Sequence, residues 1–240
     1  AQAVQGYYGV LGAQSCWRAQ LLSIAYGAFH RSRSRARERL RLSCGLRGNG
    51  WCVTHELLRT VPYEAFSLVE DLEYGVAIGL AGTRVHYADE ASADAEIASQ
   101  EPSACRQRLR WEGGRRQVAR MAGFALMRSA LRQHDRICFD LAMDLLVPPL
   151  SRLFCEVALL LAFATLLSVQ LGAAGLALWL ALFCVLSLAI YVLRGWQLSG
   201  LGIRGLAALA WAPLFVAWKL ALPLRHGMPD HWIRTDREGA

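Results

Sequence analysis

From Val157 to Leu193 the chain carries no charged residue, and no other feature narrows its fold so far. An α-helix rises about 1.5 Å per residue, so roughly 20 apolar residues cross about 30 Å of hydrocarbon. The run is too long for one crossing. The small residues of "LGAAG", residues 171–175, supply the natural turn, so the sequence predicts a transmembrane hairpin of two helices, about 151–170 and 175–193. Such a hairpin returns to the side it left, where Arg194 and Arg204 follow it.

A third apolar piece, "GLAALAWAPLFVAWKLAL", holds Pro213 at its middle and Lys219 near its end. If it crossed, the basic tail "RHGMPDHWIRTDREGA" would lie outside, against the positive-inside tendency. An interfacial or re-entrant helix fits these charges better. Glu156, one turn into the first span, is expensive in hydrocarbon unless paired, and Arg152 stands four residues before it. A passage for product is the alternative role for Glu156.

Residues 1–144 are ordinary mixed sequence. Of the 26 Lys and Arg residues all but Lys219 are arginine, and the net charge of +7 favours phosphates and anionic lipid headgroups as partners. Beside a membrane segment these are better partners than nucleic acid. Seven cysteines, scattered and without a C-x-x-C, indicate neither a disulfide framework nor a zinc site, so a reducing, cytoplasmic face is expected for this part.

Local patterns in residues 1–95 alternate between strand and helix, an α/β rhythm. "AQAVQGYYGVL" predicts a strand and "SCWRAQLLSIAYGAFH" a helix. In "RSRSRARERLRL" the arginines recur every second residue, which scatters them all round a helix, so a solvated loop or frayed connector is expected. "CGLRGNGWCVTHELL" gives a glycine-rich approach, a short strand and a helix capped by Thr54. An acidic helix start at "VEDLE", a glycine stop and a strand around 84–88 follow.

Residues 105–146 predict helix. Arg116, Arg120, Arg128, Arg132 and Arg136 fall on a four-residue lattice broken by Phe124, a stripe suited to an anionic membrane surface. A plain amphipathic helix packed on its own domain is the alternative.

Two short stretches carry chemistry. In "QRLRW" a helix would put Gln107, Arg110 and Trp111 on one face, with Arg108 beside them. Guanidinium forks match phosphate oxygens and an indole offers a stacking platform; an interfacial anchor explains the same residues equally well. In "VEDLE" the crowded carboxylates of Glu70, Asp71 and Glu73 suit a general base, although acids in a helix's first turn are also favoured by its dipole.

The order of these pieces resembles membrane-bound family 2 glycosyltransferases of the cellulose-synthase and poly-N-acetylglucosamine-synthase type. "ED" after "RGNGWCVTHELL", then "RVHYADEA", then "QRLRW", then membrane helices follow that family's order, and Q-x-x-R-W is matched at Gln107, Arg110 and Trp111. The closing "HWIRTDR" is similar to tails in the group. The resemblance implies a partial GT-A-like α/β domain over 1–112, an amphipathic interfacial region over 113–150, the hairpin over 151–193, and an interfacial or re-entrant helix with a cytoplasmic tail over 194–240. It implies Asp71 as catalytic base with Glu70 beside it, Gln107 and Arg110 with Arg108 on the diphosphate, and Trp111 under the acceptor sugar. It further implies Gly48, Asn49 and Gly50 close to substrate; a plain turn before a strand is the alternative for these three. Val69 stands where cellulose synthases usually have threonine.

A nucleotide-sugar donor, a glycan or lipid-linked acceptor, the lipid bilayer and a bacterial inner-membrane location come with the resemblance. So does a divalent metal, Mg or Mn, held by a D-x-D that this sequence lacks, since Asp71-Leu72-Glu73 is D-x-E. The expectation is therefore a C-terminal part of an enzyme, its metal ligands outside this chain, and inactive alone. A non-catalytic arginine-rich membrane module that binds anionic lipid or a partner protein is the alternative.

Overall fold

In the computed structural model, residues 1–96, 101–172 and 175–226 are described, the side chains of 101–103 and 222–226 excepted. The "HWIRTDR" similarity falls outside them. The chain is mostly helical around a small sheet. β1 (Ala3–Val10) lies in the middle, antiparallel to β2 (Trp51–Val53) and parallel to β3 (Val85–Ala95). The parallel pair slips between Gly6 and Tyr7, where Gly6 faces Ala88 but Tyr7 faces Ser92. Asp89, inside that bulge, is thereby offered to Arg31 and Arg35 of the helical segment that joins β1 to β2.

Between β1 and β2 run α1 (Trp17–Tyr26), a π-helical turn (Gly27–Ser32) and α2 (Arg33–Arg39). The arginine-rich stretch is therefore helix, not the expected loop. The reason is that it meets carboxylates on both sides. Residues two apart on a helix point roughly 200° apart, so Arg31 and Arg35 reach Asp89 while Arg33 and Arg37 reach Asp144. A pattern that gives no single basic face suits a helix held between two acidic partners.

After β2 come α3 (His55–Thr60) and α4 (Glu70–Leu80). Thr54 caps α3 as expected, its Oγ1 accepting from the Leu57 N–H at 3.2 Å. Leu46, Leu57, Tyr74, Ile78 and Val85 form the core between sheet and helices. α5 (Glu101–Gln133) and α6 (Arg136–Leu146) then pack on α4 through Val118, Leu126, Leu141 and Leu145. The expected single helical region is broken at His134, whose φ of 51° ends α5, and Asp135 caps α6 by accepting from the Ile137 N–H at 2.8 Å. Arg136 thus leaves the stripe of Arg116, Arg120, Arg128 and Arg132, all four of which are exposed.

α7 (Leu150–Leu171) and α8 (Leu176–Ser199) are the two longest apolar helices, packed against each other; Gly172 in the left-handed region ends the first. α8 runs past the expected end at 193 because its last turns are packed: Gly195 lies against Gly27, where a Cβ on either glycine would strike the other helix's backbone. Glu156 is paired with Arg152 at 2.7 Å, one turn earlier on the same helix. The third apolar piece comprises α9 (Gly202–Ala208), a 3₁₀ turn (Leu209–Trp211) and α10 (Ala212–His226). Residues Gly202–Ala221 are also long and apolar enough to cross, so three helices, not two, qualify by length and composition. This is a membrane protein by the measure of those helices.

Candidate functional site

The residues singled out from the sequence gather where β1, the 45–50 loop, the start of α4 and the first half of α5 meet. The loop is braced from beneath by Gln5, a buried β1 side chain. Gln5 Oε1 accepts from the Arg47 N–H at 2.8 Å and Gln5 Nε2 donates to the Asn49 carbonyl at 2.9 Å. Gly48 (φ 61°) and Gly50 (φ 73°) take left-handed conformations that an L side chain rarely adopts. At Gly48 a Cβ would also sit 2.5 Å from the Tyr8 ring, so space and backbone both require glycine.

Asp71, in the first turn of α4, accepts a hydrogen bond from the Gly48 N–H. The contact joins two stretches separated by more than twenty residues. Glu73 turns back to accept from the Ser67 N–H at 2.9 Å, and Glu70 stands exposed at the helix start. The three acids of "VEDLE" are thus not equivalent: Glu73 holds the turn before the helix, while Asp71 faces the glycine loop.

Tyr8 closes the other side of that contact, tilted against Tyr26 and His30 with ring centroids at 5.3 and 5.2 Å. Burial raises the Tyr8 phenol above its ordinary pKa. A hydrogen bond with Tyr26 opposes that, Asp71 adds to it, and the charges of Arg110 and Arg108 oppose it again. Tyr8 therefore feels the charges of Asp71, Arg110 and Arg108. His30 is pushed down to about 3 by burial and then by the charge of Arg47, so it is neutral beside the site.

On α5, the Arg108 guanidinium carbon lies 5.5 Å from the centre of the Trp111 ring and 5.7 Å from that of Phe215. Burial lowers its pKa, with Tyr26, Glu112 and Tyr8 opposing. Arg108 Nη2 and Arg110 Nε are buried and have no hydrogen-bond partner among the described residues. Trp111 is half-buried and packs against two apolar clusters, that of Val69, Val76 and Val118 and that of Val10, Leu22 and Tyr26, so much of its indole is occupied by the protein. Gln107 lines a small cavity between α1, α5 and α10 that does not include Asp71, Gly48, Asn49 or Gly50. The structure thus joins Asp71 to Gly48 and Arg108 to Trp111, and sets Gln107 one step away.

A divalent ion does not fit the residues present. Among the described residues no three His, Cys, Asp or Glu side chains converge as ligands, and Asp71 and Glu73 are each engaged by a backbone N–H.

Sequence reasoning passed over Gln5, Tyr8, Arg47 and Asp144. Arg47, next to Gly48, reaches Asp144 of α6 at 3.2 Å, stacks on Phe29 at 4.3 Å and donates to the Cys44 carbonyl at 3.0 Å. Burial would raise the Asp144 carboxyl, but Arg47, Arg33, Arg37 and Arg115 outweigh it and hold it well below the ordinary carboxylate range. A usable signal did exist: Asp140 and Asp144 are one turn apart in the otherwise apolar "ICFDLAMDLL".

Compared with known proteins, the chain matches no protein-family model and no curated protein.

Proposed function

We propose that the chain carries the acceptor-activating part of an inverting membrane glycosyltransferase that uses a nucleotide-sugar donor. The observation that carries this reading is the carboxylate of Asp71 held against the glycine loop by the Gly48 N–H, with the charges of Arg108 and Arg110 reaching the neighbouring Tyr8 and the buried Arg108 Nη2 and Arg110 Nε unpartnered among the described residues. In the reaction Asp71 takes the proton of an acceptor hydroxyl. That oxygen forms its bond to the anomeric carbon as the bond from carbon to the diphosphate oxygen breaks, and a nucleoside diphosphate leaves. Arg108 and Arg110, with Gln107, meet the negative diphosphate, for which a guanidinium fork is matched in shape and charge. The exposed edge of Trp111 bounds the acceptor, and Gly48, Asn49 and Gly50 allow backbone to come close to it.

The acceptor is a glycan or a lipid-linked sugar. α7 and α8 form the hairpin in a bacterial inner membrane, with the sheet-bearing part on the cytoplasmic face. The third apolar piece lies along that part instead of crossing: Trp211 in the 3₁₀ turn stacks on Trp17 at 5.8 Å, and Lys219 of α10, eight residues later, pairs with Glu112 at 2.8 Å. A helix touching α1 at one point and α5 about 12 Å further along follows the surface of the cytoplasmic part.

One observation favours the non-catalytic reading. The exposed face of α5 mixes Arg116, Arg120, Arg128 and Arg132 with Met121, Phe124 and Leu131, the composition of a surface that binds anionic lipid. Asp71→Asn and Trp111→Ala in the full-length protein separate the readings. With membranes, labelled nucleotide sugar and acceptor, Asp71→Asn should lower transfer roughly 10²- to 10⁴-fold. Full transfer by both variants would leave only the lipid-binding module.

A further inference from the structure

One turn along α4 from Asp71 stands an aromatic cluster that takes no part in proton transfer. Tyr74, three residues after Asp71 and so on the same helix face, is buried and anchored by its hydroxyl, which donates to the Val61 carbonyl at 2.9 Å. The Tyr63 and Tyr74 rings meet in a T at 4.9 Å, and Trp51, the residue after Gly50, stacks on Tyr63 at 6.1 Å with 27° between the planes. Tyr63 nevertheless stays 43% exposed, and Phe66, three residues later in the same loop, is 90% exposed. A ring fixed by its neighbours yet open to water loses little freedom when a ligand covers it.

Charge restricts what can lie on these rings. From Thr54 to Glu73 the chain carries Glu56, Glu64, Glu70, Asp71 and Glu73 against a single arginine, Arg59, although the whole chain has a net charge of +7. Burial raises the Tyr63 phenol above its ordinary pKa, and the charges of Glu70, Asp71 and Glu73 raise it further, so these carboxylates lie within electrostatic reach of the ring. Like charges set against one another disfavour a partner, so phosphates, phospholipids and uronic-acid polymers are turned away from this surface. A neutral polyhydroxylated ligand suits both of its halves. The C–H face of a sugar can lie on a flat ring, and its hydroxyls can donate to carboxylates such as the exposed Glu64 and Glu70.

We propose that Tyr63, backed by Trp51 and Tyr74, forms with Phe66 a platform for an uncharged glycan, the part of the acceptor that extends beyond the sugar at Asp71. Naming that glycan the acceptor rests on the transferase reading; the binding of a neutral glycan does not. The acceptor is then an oligosaccharide or polymer free of uronic acids, and not a single lipid-linked sugar.

The test is saturation-transfer NMR on the full chain in polyoxyethylene ether micelles, which carry no sugar, with irradiation of the aromatic protons. Maltohexaose, cellohexaose and chitohexaose are the neutral probes and hexagalacturonate the anionic one. At least one neutral hexamer should receive transfer at its ring C–H protons, with a dissociation constant that Tyr63→Leu raises about fivefold or more. Phe66→Ser, at a position too exposed to disturb the core, should raise it as well. Any signal from hexagalacturonate should be unaffected by Tyr63→Leu, since arginine-bearing surfaces elsewhere account for it. The proposal is overturned if no neutral hexamer receives transfer, if Tyr63→Leu and Phe66→Ser both bind as wild type does, or if Tyr63→Leu weakens hexagalacturonate as much as the neutral hexamer. Sugar transfer by the full-length protein is read separately. Glycan binding without transfer would remove the transferase and keep the platform, and transfer without Tyr63-dependent binding would do the reverse.

Discussion

Two groups of buried arginines lie within the same part of this protein and have opposite surroundings. Around Asp144, the guanidiniums of Arg33, Arg37 and Arg47 lie at ion-pair distance, and Arg115 donates to the Asp144 and Val147 carbonyls. Along "QRLRW", Arg108 and Arg110 keep buried nitrogens without hydrogen bonds among the described residues and lie against aromatic rings and tyrosines. The residue type is the same and the burial is comparable. Carboxylates at ion-pair distance make the first group a joint of the fold, whereas in the second the nearby Glu112 is paired with Lys219 at 2.8 Å and the positive charge that remains suits an anionic ligand.

The comparison is broken most severely by removing the shared anion. Asp144→Ala should cost about 3–5 kcal/mol, because several buried guanidiniums are left without their partner. Thermal melting in detergent should show little or no folded protein. A melting temperature within a few degrees of wild type would mean that the cluster is wetter and looser than its geometry indicates.

The next test sets one arginine from each group side by side. Arg37→Ala removes a 7%-exposed side chain that pairs with both Asp140 and Asp144, so it should destabilise by roughly 2–4 kcal/mol. Arg108→Ala removes an unsatisfied donor and should shift stability by less than about 1 kcal/mol, while anion binding falls tenfold or more. Equal stability losses from the two variants would erase the distinction between joint and site.

How much of this was legible in sequence depends on whether partners were close along the chain. The apolar helices, the Thr54 cap, the Arg152–Glu156 pair and the strand "AVQGYYGV" rest on local pattern and were readable. The arginine stretch at 31–41 reads as a loop by period alone because its helix is stabilised by Asp89, Asp140 and Asp144, more than fifty residues away. Asp71 and the glycine loop could each be singled out, but their contact could not, nor could Tyr8, whose ring makes Gly48 obligatory. The far end of α8 was missed for the same reason: Gly195 reads as a helix breaker until it meets Gly27.

Acid should separate the parts of the buried network in order. His30 is neutral in the fold, with a pKa of about 3, and ordinary in the unfolded chain at about 6.5. A depressed pKa gives stability that is present above pH 6.5 and lost as pH falls toward 3, about 2 kcal/mol by pH 5. Asp144 is also depressed, but its contribution is complete above about pH 4 and is lost only below that. Stability measured from pH 7 to 5 should therefore decline in wild type and be flatter in His30→Phe. An identical slope in both would place the imidazole in water.

The smallest effect belongs to arginines that are neither joint nor site. Arg120, Arg128 and Arg132 are exposed on α5, so Arg128→Gln should change stability by no more than about 0.5 kcal/mol. Its consequence lies at the membrane surface, where each arginine contributes about 1 kcal/mol toward anionic lipid, weakened by salt. In co-flotation with vesicles, a soluble peptide of residues 113–134 should bind phosphatidylglycerol over phosphatidylcholine, lose about fivefold on Arg128→Gln at low salt, and lose little at high salt. Phe124→Ser and Leu131→Ser should weaken binding in both, because their share is burial and not charge. If neither substitution type mattered, the exposed face of α5 would be a solvated surface, and an anion would be left to the buried, unpartnered nitrogens of Arg108 and Arg110 among the described residues.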